Sequence, residues 1–240
     1  MAKQKKVLLW VACFLLLLSI ITYEYPMSES WTAWSLPLSG AIIAIDPGHG
    51  GFDGGAISKK GLIEKDVALK ISLYLRDFLQ EAGALVIMTR EVDDDLADQA
   101  QKGSKKRADI HERVRIINSS HADLAVSIHL NAIPSPKWYG AQTFYYPAKL
   151  ENQTLAFLIQ DEIKTKLENT DRFAKKKSNM YLLKNVEMAS VLVEVGFLSN
   201  PDEASRLGTE KYQKSMANAI YQGILRYYSG ESIPKTEYVE

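Results

Sequence analysis

Hydrophobic positions follow two different patterns along the chain. Val7 to Ile21 (VLLWVACFLLLLSII) is an almost unbroken apolar run with Ser19 as its one polar member, and it follows Lys3, Lys5 and Lys6. Beyond residue 40 the apolar residues come instead in short bursts or at helical spacing. Ala41 to Ile45 is a burst ending in Asp46-Pro47-Gly48, which reads as a strand running into a forced turn. Glu64 to Gln80 has apolar residues at 67, 68, 71, 75, 78 and 79, the period of a helix packed on one face, with Gly83 to stop it. The alternation continues with a strand at Ala84–Met88, a helix over Ile110–Asn118, and strands at Leu124–Ile128 and Gln142–Tyr146. A helix over Thr154–Leu167, a strand at Val191–Val195 and a helix over Tyr212–Tyr227 complete it. Strands alternating with helices predict a single α/β domain whose mostly parallel sheet is covered by helices on both faces.

The N-terminal run has no polar face, and positive charge precedes it, as in an export signal. At about 1.5 Å per residue it covers roughly 23 Å, less than the ~30 Å hydrocarbon layer, so it fits a long signal core or a short anchor. The best cleavage candidate is Ser28-Glu29-Ser30, so cleaved and membrane-associated forms both stay open. The chain is expected to be exported. The boundaries that follow are a signal or anchor at 1–23, a linker at 24–40, the domain at 41–229 and a flexible tail at 230–240.

Composition narrows the chemistry. With 46% hydrophobic and 24% charged residues the 240-residue chain is not a disordered one. Lys plus Arg (29) equals Asp plus Glu (29), which removes the basic excess of a nucleic-acid binder. The one cysteine, Cys13, lies inside the apolar run, so no disulfide or thiolate metal site forms within one chain. Any metal must therefore rest on histidine and carboxylate.

Candidate ligands stand at the ends of predicted strands. Between Gly48 and Gly55 five of eight residues are glycine, around His49. The spacing is wrong for a phosphate loop, because Asp53 stands where G-x-G-x-x-G requires glycine. Glu64 opens the first helix of the domain in phase with its apolar face, so its carboxylate is expected inside with a strong partner. His129 ends the strand SIHLNA at 127–132. The carboxyl ends of strands are where α/β sheets place ligand sites, and two histidines with a glutamate make the three-ligand, open-position set of hydrolytic zinc. Glu194, inside the apolar run Val191–Val195, is expected to have a raised pKa suited to a general base. Asp46 and Asn131 are candidates for orienting the ligands or touching substrate. Arg90 and Arg113 read as ion-pair partners, His111 and His121 as exposed or capping, and 91–107 as a solvated loop. Arg172 to Lys177 is basic and would meet an anionic polymer if it lay near the cleft.

The segments IDPGHGG at 45–51, LIEKD at 62–66, SIHLNA at 127–132 and VEVGFLSN at 193–200 occur in the order seen in zinc-dependent N-acetylmuramoyl-L-alanine amidases of type 3. The resemblance covers about Ala41 to Tyr228. It implies a six-stranded α/β fold, one Zn2+ on His49, Glu64 and His129, Glu194 as the catalytic residue, and peptidoglycan as substrate. The absence of wall-binding repeats after the domain makes the chain most similar to the germination-specific branch of the family, which acts in spore cortex maturation before the muramic δ-lactam is made. That branch implies work outside the cytoplasm, in the space between the forespore membranes, with an accessory protein as a further partner. The alternatives are a general cell-wall amidase, a zinc exopeptidase and a catalytically idle peptidoglycan-binding protein.

Overall fold

The computed structural model describes residues 2–22, 36–97 and 105–233. It divides into two compact units, Met1–Leu36 and Pro37–Glu240. In the first, α1 (Ala2–Thr22) opens with Lys3, Gln4, Lys5 and Lys6 and is apolar all round from Val7 to Leu18, where side chains such as Trp10 and Leu16 are uncovered. Among the described residues, no helix is long and apolar enough to cross a membrane. Most of the segment read as a linker lies outside the described residues, but Leu38 is buried and its amide donates to the carbonyl of Ala82.

The second unit is built on a six-stranded sheet in the order β2-β1-β3-β6-β4-β5. The strands are β1 (Ile42–Pro47), β2 (Leu85–Met88), β3 (Leu124–Asn131), β4 (Gln142–Tyr145), β5 (Lys175–Lys176) and β6 (Ala189–Phe197). β2, β1, β3 and β6 are mutually parallel; β4 runs antiparallel to β6, and β5 pairs parallel with β4. Parallel strands need crossovers, and helices supply them. α2 (Glu64–Glu81) and α3 (Lys105–Ser119) make the β1–β2 and β2–β3 crossovers, α4 (Leu150–Leu167) joins β4 to β5, α5 (Tyr181–Asn185) lies between β5 and β6, and α6 (Pro201–Leu207) and α7 (Glu210–Tyr228) follow the last strand.

Alternation along the strands divides the core into two layers. Ile43, Ile45, Val126, Ile128, Val191 and Val193 pack with α2, α4 and α7, while Ala44, Ala125, Phe144 and Leu192 pack with α3 and α5. Both faces of the sheet are thus covered, and the mostly parallel α/β reading holds. Three elements were not predicted. β5 and α5 are too short to show a period. α6 carried a signal, Asn200-Pro201, because Asn200 caps the helix by accepting from the amides of Asp202 and Glu203, with Pro201 in its first turn. α3 also begins at Lys105 instead of Ile110: its first turn is charged and solvent-facing, so helix propensity without apolar period marks it.

Leu75 is fully buried on the inner face of α2. Leu75→Ala is expected to destabilise the fold by about 2–5 kcal/mol, read as a lower denaturation midpoint in urea.

Candidate metal centre

β1 and β3 are parallel neighbours, with Asp46 beside Ser127 and Pro47 beside Ile128, so their ends deliver His49 and His129 to the same edge. The His49 and His129 rings stand edge to face with centroids 5.0 Å apart. Glu64, at the first turn of α2, closes the triangle. One ligand atom from each of His49, Glu64 and His129 lies within 4.8 Å of the others.

The loop that carries His49 is held against its own conformational preference. His49 has φ 59°, a left-handed conformation that costs a non-glycine residue about 1–3 kcal/mol. Two buried arginines hold it there. Arg90 donates to the carbonyls of Pro47 (3.1 Å), Gly48 (2.8 Å) and Lys65 (3.0 Å). Arg113 donates to the carbonyls of Pro47 (2.7 Å) and His49 (2.6 Å). Glycine is required where the backbone passes the ligands: a β-carbon on Gly48 would strike the His129 ring, and one on Gly55, at φ 68°, would lie 2.6 Å from Glu64 Oε2.

The hydrogen bonds fix what each ligand can offer. His49 Nδ1 lies 2.9 Å from Asp53 Oδ2, and because a carboxylate only accepts, Nδ1 carries the proton. In the neutral ring Nε2 is then a lone pair, and it faces Glu64 Oε1 at 3.1 Å. His129 Nδ1 faces the same oxygen at 3.1 Å. Glu64 is oriented by the backbone: Oε1 accepts from the amide of Leu130 (3.0 Å) and Oε2 from that of Ala56 (2.8 Å). Lone pairs converging this way need a proton or a cation between them. Burial would push the Glu64 carboxyl up, yet the His129 and His49 imidazoles hold it well below the usual carboxylate range. Burial likewise opposes charge on His49, but Glu64 and Asp53 outweigh it and raise its pKa. Donor type, number and convergence fit a zinc site with an open position, and Asp53 is the carboxylate partner such a histidine commonly has.

Glu194 is the register partner of His129 across β3 and β6, so the two side chains leave the same face of the sheet. Its Oε2 is closed off from solvent and has no hydrogen-bond partner among the described residues. Burial pushes its pKa up, with the Glu64 charge adding to the rise and the His129, Lys177 and His49 charges opposing it. A cavity of about 830 Å³ opens from His49 and His129 towards α3 and α5, walled by Lys106, Ile110, Met180 and a stacked His111–Tyr181 pair.

The sequence profile of the Amidase_3 family, N-acetylmuramoyl-L-alanine amidase, matches residues 43–226, which contain all four of these residues. The chain belongs to that family. It is 53% identical over 236 residues to the germination-specific N-acetylmuramoyl-L-alanine amidase of Bacillus subtilis (strain 168), covering 98% of this chain and 99% of that one. Among solved structures it resembles the CwlD amidase from Clostridioides difficile in complex with the GerS lipoprotein. That match has a TM-score of 0.77 and 42% identity over 80% of this chain and 100% of the other. The amidase AmiC2 of Nostoc punctiforme matches at TM-score 0.69 and 33% identity, over 80% of this chain and 99% of that one. The protein is thus a peptidoglycan amidase that acts outside the cytoplasm.

The structure brings His49, Glu64, His129 and Glu194 of this amidase together. The other two candidates stand back from the ligands. Asp46 is buried and accepts from Arg113 Nη1 (2.7 Å), Thr89 Oγ1 (2.7 Å) and Ser127 Oγ (2.6 Å), so it acts on the His49 loop through Arg113. Asn131 lies at the register shift between β3 and β6; its carbonyl accepts from Leu198, and it makes no hydrogen bond to His49, Glu64 or His129. Asp53 was missed because it registered only as the residue that breaks a phosphate-loop pattern; its i,i+4 spacing from His49 was the available signal. The solvated-loop reading of 91–107 holds for the exposed residues 91–94, which are nonetheless anchored. Asp93 accepts from the amide of Gly51 (2.9 Å) and from Lys65 Nζ (2.7 Å), which fastens that stretch over the glycine loop. Residues 98–104 lie outside the described residues, and 105–107 are helix.

Burial would push the Asp46 carboxyl up, but Arg113 and the hydroxyls of Ser127 and Thr89 hold it below its ordinary 3.8. The unfolded chain therefore takes up this proton first as pH falls. The stabilisation from Asp46 is complete above pH ~4 and lost as pH drops through the folded value. Asp46→Ala, which takes from buried Arg113 one of its two carboxylate partners, leaves it Asp109, and strips the Thr89 and Ser127 hydroxyls of their acceptor, is expected to cost about 1–3 kcal/mol at pH 7. The difference from wild type in urea midpoint should narrow as the pH is lowered towards 3.

Proposed function

We propose that this amidase is zinc-dependent and exported, and that it cuts the bond between the lactyl carboxyl of N-acetylmuramic acid and L-alanine in cortex peptidoglycan. The observation that carries the metal assignment is the convergence of His49 Nε2, Glu64 Oε1 and His129 Nδ1 on one place. Zinc held by these residues supplies Lewis-acid polarisation of the amide carbonyl. Glu194, beside His129 on the next strand, takes the proton from the attacking water and returns it to the departing alanine nitrogen. The cavity below α3 and α5 gives room for the stem peptide, with Ile110 and Met180 for apolar side chains and Lys106 at its wall for carboxylates. Asp53 keeps the His49 proton on Nδ1, and Lys106 Nζ, 3.2 Å from Asp53 Oδ1, helps to keep Asp53 ionised.

The germination-specific relative supports a role in spore cortex maturation, where removing the peptide frees the lactyl group for δ-lactam formation. The complex of CwlD with the GerS lipoprotein supports an accessory protein as a partner. Lys3, Lys5, Lys6 and the apolar run at 7–21 support export of the chain and a membrane association through that run, with action in the space between the forespore membranes.

Glu194→Gln is expected to bind one zinc per chain and to release no alanine amino termini from peptidoglycan, read by mass spectrometry of the digest. Release near the wild-type rate would remove Glu194 from the reaction, and new termini other than alanine on intact stem peptides would point to an exopeptidase. Asp53→Ala is expected to weaken zinc binding about 10–100-fold in competition with a chromophoric chelator. Unchanged affinity would mean that His49 does not need this partner.

A further inference from the structure

The side of the site opposite the cavity carries an unassigned surface. His129 on β3, Glu194 on β6 and Gln142 on β4 are successive register partners, so the three side chains form one row across the same face of the sheet. Past Gln142 lie Trp138 and Tyr139, which are 49% and 55% exposed. Two neighbouring large aromatic side chains in water, on a loop that holds its shape, are what a binding surface presents. This loop is fastened. Asn200 donates to the carbonyl of Pro136 (2.9 Å), Arg172 Nε to that of Tyr139 (2.9 Å), and Thr170 Oγ1 to that of Ala141 (2.8 Å). The Arg172 guanidinium lies against the rings of Trp138 (5.7 Å) and Phe197 (5.1 Å). Gln142 donates to the carbonyl of Phe173, joining this group to the edge strand β5. On β5 Lys175 is exposed and pairs in register with Phe144, which puts it on the Glu194 face. The result is a preformed aromatic and cationic shelf, which joins Trp138 and Tyr139 to Arg172 and Lys175 of the basic stretch Arg172 to Lys177.

The reaction indicates what the shelf would meet. Hydrolysis adds water across the amide, leaving a carboxylate on the lactyl group and an ammonium on alanine. A partly processed glycan strand therefore carries apolar sugar faces and a negative charge on each stripped muramic acid. With the peptide directed into the cavity on the β1–β3 side, the sugars leave on the β4 side. We infer that Trp138, Tyr139, Arg172 and Lys175 form a glycan-strand subsite, in which sugar rings stack on the aromatic side chains and freed lactyl carboxylates pair with the cations. This rests on the amidase reading of the centre, and it adds the direction in which the strand lies.

The test measures binding of the full chain to peptide-stripped glycan strands, which contain no bond to cut, and to a neutral oligomer of N-acetylglucosamine. Trp138→Ala with Tyr139→Ala is expected to weaken binding to both at least tenfold, and Trp138→Phe to recover most of it because a ring remains. Lys175→Gln is expected to weaken binding to the stripped strands severalfold and leave the neutral oligomer within twofold. Binding within twofold of wild type in the double variant, with an unchanged melting temperature, would overturn the subsite, as would a double variant that binds glycan normally but loses an accessory-protein contact. Failure here while Glu194→Gln still abolishes peptide release removes the shelf alone. Normal peptide release by Glu194→Gln together with the expected binding losses removes the catalytic assignment and leaves the shelf.

Discussion

Lone pairs brought face to face repel one another unless positive charge lies between them. The centre of this amidase is built on that constraint, because His49, Glu64 and His129 point acceptor atoms at one place. The rest of the local structure keeps them there. Parallel pairing of β1 and β3 sets the two histidine strands side by side, the Leu130 and Ala56 amides orient the glutamate, and Asp53 fixes the His49 tautomer. Arg90 and Arg113 hold the strained loop through its carbonyls, and Asp46 neutralises Arg113 from within the sheet. A cation joining this arrangement would relieve the opposition that the fold enforces.

The same layout separates the two arms of a substrate. The row from His129 through Glu194 to Gln142 runs between a partly apolar cavity under α3 and α5 and a rigid aromatic shelf near β5. An amide joining a peptide to a sugar has the same division of character about the bond that is cut. Glu194 stands beside the ligands with one carboxylate oxygen shielded from water, where burial raises its pKa above the ordinary carboxylate value, and the proposed general base needs both.

Much of this could be read before any coordinates. Long periodic elements such as α2 and α7 declare themselves, since their apolar faces meet one core layer, and the apolar bursts mark the central strands. The four candidate site residues were legible because polar groups at the ends of apolar strands, or on the inner face of a helix, need a reason to be there. Short-range devices were less visible. α5 has five residues and β5 two, too few for a period, and the charged start of α3 looks like loop to any reading based on hydrophobicity. The roles of Asp53, Arg90 and Asp93 depend on which carbonyl, ring or amide each one meets in space. Neither composition nor spacing alone supplies that.

Anomalous diffraction at the zinc absorption edge, from crystals of the exported domain grown with zinc, tests the central claim most directly. A single strong peak is expected among His49 Nε2, Glu64 and His129 Nδ1, with Asp53 still bonded to the far side of the His49 ring. A peak at another cluster, or none with zinc in excess, would contradict it.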